Sequence, residues 1–141
     1  MSLRYSSMRG TALMEFALAW PVALLLVLGA VETAVWATET FAARSAALAG
    51  ARVGAIAGMP ADRAAGVTLR TLSPSLVGVT AATWCPGQSR RPPEVWVCAT
   101  DLGSVIQVDV GGSVPTLVPI VSRSGIPLHA HVILEKETFA R

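Results

Sequence analysis

The sequence predicts an α+β protein: a long N-terminal helix, membrane-spanning in its first half, packed on a small antiparallel β-sheet of about four strands. Three observations favour this class. Residues 16–31 contain no charged side chain, residues 32–56 continue as an Ala-rich segment without proline, and apolar and polar residues alternate in the second half of the chain. Long apolar runs suit a membrane helix, whereas alternation is typical of half-buried strands.

The apolar segment is long enough to cross a bilayer. Counted from Ala12, it covers residues 12–31 with a single charged interruption, Glu15. About 20 helical residues at 1.5 Å each span a hydrocarbon core of roughly 30 Å. We therefore expect one membrane-spanning helix over these residues. Pro21 lies inside it and lacks an N–H group, which predicts a kink or local melting.

The charges on either side of the segment predict its orientation. Arg4 and Arg9 precede it, whereas Glu32 and Glu39 follow it, and the next basic residue is Arg44. By the positive-inside rule, the N-terminus is cytoplasmic and everything after about residue 32 is exported.

The helical composition continues past the membrane boundary, which predicts one helix over residues 11–57, roughly 70 Å long. One face of the extension carries a small residue at every fourth position, including Ala46, Gly50 and Gly54. Such a face lets another backbone approach closely, although an Ala-rich sequence also produces such rows by chance. Because Gly costs about 1 kcal/mol in a helix interior, the two glycines favour the packing interpretation.

Residues 58–141 are expected to form the exported α+β domain. Met59 and Pro60 end the long helix, and residues 61–72 place apolar side chains on one face of a short amphipathic helix. Alternation then predicts four strands, around residues 77–81, 95–97, 105–110 and 128–134. The apolar loop of residues 111–121 is expected to cover the core, with a subunit contact as the alternative.

Cys85 and Cys98 flank a turn-rich segment, and we expect them to form a disulfide that closes a strand, loop and strand unit. In the chain-entropy model, a disulfide that closes a loop of about 12 residues stabilises the fold by roughly 3 kcal/mol. The exported compartment is oxidising, so the bond can form there. Metal or redox chemistry is the alternative, but the spacing is not C-x-x-C.

His129 and His131 lie two residues apart and therefore on one face of the last strand, where they could chelate a metal. They supply only two of the four ligands that a structural zinc needs, and no cysteine pair remains to complete the set. A solvated strand face is the favoured interpretation, so no metal site is expected.

Composition and motifs exclude several function classes. The chain of 141 residues is 52% hydrophobic and only 14% charged, which is too apolar for a disordered protein. Its formal net charge of +2 provides no basic tail, so no nucleic-acid partner is expected. No P-loop, G-x-G-x-x-G or G-x-S-x-G motif occurs. Neither a cofactor nor an enzymatic activity is expected.

The N-terminal motif resembles that of pilin-like proteins. Residues 9–18 read RGTALMEFAL and are followed by Pro21, an apolar run and then Gly29-x-x-Glu32. Within that class, the pattern is similar to the TadE-like minor pseudopilins of tight-adherence pili.

The resemblance implies a leader of residues 1–10 that a prepilin peptidase removes by cutting after Gly10. Thr11 then becomes the first mature residue and Glu15 the fifth. A lone carboxylate in an apolar segment costs about 2.5 to 3.5 kcal/mol on insertion scales. In pilin-like assemblies its implied partner is the new N-terminal amine of a neighbouring subunit. The alternative is that Glu15 lies at the headgroup level and is solvated.

The function implied by the resemblance is that of a minor pseudopilin, a structural subunit that initiates, primes or caps a type IV-like pilus. Its implied partners are the inner membrane, the prepilin peptidase, other pilus subunits and assembly-platform proteins. Two alternatives remain open. One is an uncut bitopic membrane protein that presents a small β-rich binding module, and the other is a secreted module released near Ala37 by ordinary signal peptidase.

Overall fold

The computed structural model describes residues 8–117 and 125–137, with side chains from residue 13 onward. Its elements are helix α1 (Met8–Gly54), helix α2 (Ala61–Leu72), a 3-10 turn (Ser73–Ser75) and strands β1 (Ala81–Thr83), β2 (Val95–Asp101), β3 (Val105–Val114) and β4 (Ile126–Glu135). Both helices pack on one four-stranded sheet, so the α+β architecture is confirmed. Most of the expected leader and residues 118–121 of the apolar loop lie outside the described residues.

Helix α1 is uninterrupted over 47 residues, which corresponds to about 70 Å. The helix continues through Pro21. It ends at Gly54 rather than at the expected residue 57. In the turn that follows, Gly58 has a φ of +75°, a left-handed conformation that glycine adopts without steric cost. Pro60 then precedes α2, where its fixed φ suits the start of a helix.

The sheet order is β1-β2-β3-β4, and the two pairs that involve β3 are antiparallel. The expected fully antiparallel sheet is wrong for the first pair, because β1 and β2 run parallel, with Ala81 opposite Val95. The connecting residues 84–94 travel back along β2 before the chain enters it. Strand β1 also begins four residues later than expected, because the backbone N–H of Val77 bonds to helix α1 instead of to the sheet.

A single apolar core lies between the sheet and the helices. Helix α1 lies over β3 and β4, whereas α2 lies over β1 and β2. From Val105 to Val110 in β3 and along β4, more buried side chains alternate with less buried ones, as the period of two requires. The buried residues are mostly Val on the sheet and Ala on the helices: Val95, Val97, Ile106, Val108, Val110, Val114, Leu128 and Ala130 face Ala43, Ala46, Ala47, Ala51, Ala64, Ala65 and Leu72. The small helical residues hold both helices close to the sheet.

Candidate membrane and assembly site

The first half of α1 makes no contact with the domain. Every described side chain from Leu13 to Leu28 is exposed, and almost all of them are apolar. From Leu13 to Glu32 the helix rises about 28 Å, close to the thickness of a hydrocarbon core. Within the described part of the chain this is the one helix apolar and long enough to cross a membrane. We call residues 13–28 the bare helix.

Glu15 is the only acidic residue on the bare helix, and its side chain is exposed among apolar neighbours. Phe16 and Trp20, one turn apart, stack with their ring centroids 6.0 Å from each other. Gly10 and Thr11 lie in the first turns of α1, before the first described side chain. The bare helix therefore displays one carboxylate on a surface that otherwise suits only lipid or another apolar helix.

The domain begins to contact α1 at Glu32, whose carboxylate is buried. The backbone N–H of Leu117, in the segment after β3, donates to both carboxylate oxygens, at 2.9 and 3.2 Å. A carboxylate that accepts backbone N–H groups holds the donor segment firmly, because charge-assisted hydrogen bonds are about twice as strong as neutral ones. Glu32 thus fastens the end of β3 to the helix.

Glu39 lies two turns further along the same face and is also buried. Its Oε1 accepts a hydrogen bond from the backbone N–H of Val77, at 3.1 Å. Burial raises the pKa of Glu39 above its ordinary value of 4.5, the Val77 N–H opposes this shift, and the nearby charge of Glu32 adds to it. Between the two carboxylates, Trp36 donates from Nε1 to the carbonyl oxygen of Pro127, at 3.3 Å.

Glu32, Trp36 and Glu39 therefore bind three separate domain segments to one stretch of helix, immediately after the bare helix ends. We call these three residues the clasp. In the sequence, the two glutamates were interpreted only as charges that flank the apolar segment, and Glu32 also as part of the N-terminal motif. Their spacing of seven residues, which places them on one helix face in an Ala-rich segment, is the signal that could have identified them.

The small-residue face of α1 packs inside the molecule. Ala46, Gly50 and Gly54 are all buried. A methyl group added at Gly50 would overlap Oγ1 of Thr68 and come within 2.6 Å of the carbonyl oxygen of Ala64, both on α2. The backbone that approaches this face is therefore that of α2 in the same chain.

Cys85 and Cys98 are joined by a disulfide, with their Cα atoms 4.8 Å apart. The bond lies where the short strand β1 stops. There the backbone N–H of Trp84 still reaches the carbonyl of Val97, at 3.0 Å, before the chain turns away. The disulfide thus fastens the returning loop to the part of β2 that β1 leaves uncovered.

His129 and His131 lie on the exposed face of β4. Nδ1 of His131 contacts the carboxylate of Asp109 across the β3 and β4 pair. Among the residues described, no group of three or more His, Cys, Asp and Glu side chains is placed to hold a metal ion. The chemistry on this face is that of a polar strand surface.

Comparison with known proteins gives one finding. Residues 10–52 match the family model of TadE-like proteins. The match begins at Gly10, contains Glu15 and the whole clasp, and ends two residues before α1 does. No curated protein and no solved structure matches the chain significantly. The N-terminal resemblance to TadE-like proteins is thus confirmed over residues 10–52, which are most of the long helix.

Proposed function

We propose that this protein is a minor pseudopilin, a structural rather than enzymatic subunit that initiates, primes or caps a tight-adherence pilus. The observation that carries the proposal is the bare helix with Glu15 near its start, within the segment that matches TadE-like proteins. A long apolar helix end that its own domain leaves uncovered is suited to a bilayer first and to packing among other helices later.

Before assembly, the bare helix crosses the inner membrane once, with its N-terminus in the cytoplasm and the domain in the periplasm. Two basic residues, Arg4 and Arg9, precede the span, whereas no basic residue follows it until Arg44. This asymmetry supports the orientation through the positive-inside rule.

A prepilin peptidase then cuts after Gly10, and Thr11 acquires a free α-amine. Glu15 lies four residues further along, a rise of about 6 Å on a helix. A neighbouring subunit displaced by about 6 Å along the helix axis therefore brings its amine level with this carboxylate. In apolar surroundings an isolated amine or carboxylate charge is unfavourable. Pairing the amine with the Glu15 carboxylate lowers this free-energy cost for both groups.

The leader contributes two of the eleven basic side chains, so its removal leaves nine basic and nine acidic ones. A mature chain with no formal net charge has little attraction for DNA. Its proposed partners are the other pilus subunits and the assembly-platform proteins, together with the peptidase that processes it.

The experiment that tests the proposal is N-terminal sequencing of the protein recovered from its native membranes. A terminus at Thr11 supports processing by the prepilin peptidase. A terminus at Met1 would favour the uncut bitopic anchor, and one near Thr38 would favour the secreted module.

A matched pair of variants sharpens the test. Gly10→Val alters the cleavage junction, so the chain should keep its full size and the cells should lose piliation. Ser7→Val introduces the same residue into the leader away from the junction and should be processed normally. Normal size and full piliation with Gly10→Val would remove the peptidase from the proposal.

A further inference from the structure

We infer that the end of the domain next to the bare helix rests in the headgroup region of the bilayer, as a second membrane contact besides the spanning helix. This surface, here called the collar, consists of residues 73–79, 114–117 and 125–127, the three segments that the clasp binds to α1. The inference rests on the bare helix crossing a membrane, whichever end faces the cytoplasm.

The position of the collar along α1 follows from the clasp. Leu117 is bonded to Glu32, about 28 Å of helical rise from Leu13, and therefore lies where the hydrocarbon core ends. Trp36 is about 6 Å further out and Glu39, which binds Val77, about 10 Å further out. The interfacial layer beyond the hydrocarbon is about 5 to 8 Å thick on each side of the bilayer. The segments 114–117 and 125–127 are thus at headgroup depth when the bare helix spans the bilayer, and residues 73–79 lie just beyond that layer.

The chemistry of the collar suits that depth. Its three segments read SPSLVGV, VPTL and GIP, and none contains a charged residue. Leu117 and Val77 are each about half exposed, at 53% and 51%. Trp36 is 37% exposed and uses its ring N–H within the protein, and tryptophan is enriched at membrane interfaces. Shallow grooves on both sides of α1, one ending at Ile126 and the other at Val77, are lined almost entirely by apolar surface.

The opposite end of the domain carries charged side chains on its surface. There Lys136 and Asp101 form an ion pair at 2.6 Å, and α2 begins with the exposed pair Asp62 and Arg63. Strand β3, nine residue steps long, separates the two ends by about 30 Å. Among the described residues, the exposed charges at the collar end, Arg70 and Glu94, lie beside the collar and not in it. The three collar segments themselves continue the apolar surface of the bare helix. This continuity identifies the occupant as lipid.

The test uses the full chain reconstituted in phosphatidylcholine vesicles that contain nitroxide-labelled lipid. The native cysteines are paired, so a single cysteine introduced in the absence of reductant can be labelled with a small fluorophore such as bimane. Leu117→Cys reports on the collar. Leu102→Cys is the matched control, since Leu102 is 56% exposed at the remote end. Leu24→Cys reports on the bare helix.

With headgroup-labelled lipid, the fluorophore at residue 117 should lose about half of its emission or more, because it lies within the interfacial layer. The fluorophore at residue 102 should lose almost none. Because the collar carries no charge, the result should not change when anionic phosphatidylglycerol is added. Quenching at 24 by chain-labelled lipid together with none at 117 would overturn the collar alone and reassign it as a contact for another subunit. Absence of quenching at both would overturn the spanning helix and the collar together.

Discussion

Gly50 offers the most direct test of how α1 and α2 pack. Replacing it with Ala adds one methyl group, which would overlap Oγ1 of Thr68 and lie 2.6 Å from the carbonyl oxygen of Ala64. The second distance is about 0.8 Å short of the 3.4 Å at which ordinary contact begins. Ala64 O belongs to the backbone, so no change of rotamer relieves the contact, and α2 must shift as a body.

The expected cost combines two opposing effects. Overpacking of this kind costs about 1 to 3 kcal/mol, and a contact with backbone belongs at the upper end. Replacement of Gly by Ala inside a helix returns about 1 kcal/mol. We therefore expect Gly50→Ala to destabilise the domain by about 2 kcal/mol. For a domain of this size that lowers the Tm by roughly 8 to 16 °C.

Gly66→Ala is the matched control, because Gly66 lies inside α2 and a methyl group there meets nothing within 4 Å. It should gain about 1 kcal/mol from helix propensity alone. Both variants are measured as full chains in detergent by thermal unfolding monitored with near-UV circular dichroism. That signal reports the packing of Trp84 and Trp96 in the domain, whose rings lie 5.6 Å apart, even where the bare helix stays helical in detergent.

Equal Tm values for Gly50→Ala and Gly66→Ala would refute the close packing of α1 on α2. A second substitution refines the test. The double variant Gly50→Ala, Thr68→Ala removes the overlap with Oγ1 of Thr68 but keeps the contact with the carbonyl oxygen of Ala64. Its Tm should therefore lie between that of Gly50→Ala and that of the parent.

Three further predictions concern carboxylates and the disulfide. Because the pKa of Glu39 is raised in the folded state, its contribution to stability is present below the ordinary value of 4.5 and is lost as the pH rises through the raised pKa. Glu39→Gln keeps an acceptor for the Val77 N–H but cannot ionise. The urea midpoint of the parent should therefore fall below that of Glu39→Gln as the pH rises. A constant difference between the two midpoints at all pH values would contradict this. The double variant Cys85→Ser, Cys98→Ser should lose roughly 3 kcal/mol in urea unfolding, and intact mass before and after alkylation should show no free thiol in the parent. Glu15→Gln should insert in the membrane and be cut normally yet fail to co-purify with partner pilins, whereas Glu94→Gln, an exposed carboxylate on the domain, should assemble like the parent; full assembly of Glu15→Gln would remove the charge-pair mechanism.

The features predicted well from the sequence are those that depend on local periodicity. The alternation of apolar and polar residues predicted strands β3 and β4, because a strand with one buried face repeats every two residues. The length of α1 followed similarly from a long segment of good helix formers.

No local sequence pattern predicts whether β1 runs parallel or antiparallel to β2. A three-residue strand carries the same pattern whether its partner runs parallel or antiparallel, and only the path of residues 84–94 decides between them. The clasp was missed for a related reason. Glu32 and Glu39 are bound by backbone N–H groups of Leu117 and Val77, and backbone donors leave no trace in the sequence.

The use of carboxylates in the clasp follows from the two surroundings of α1. Its first half must stay apolar to lie in lipid, and its second half must hold a domain whose core is also apolar. Apolar contact alone does not distinguish these two surroundings, since lipid tails are as apolar as a Leu side chain. The close packing at Gly50 and Gly54 fixes where α2 and β3 meet the helix, but it lies far from the end of the domain next to the bare helix. Hydrogen bonds to Glu32 and Glu39 exist at one axial position and one rotation, so they set how much of α1 stays bare.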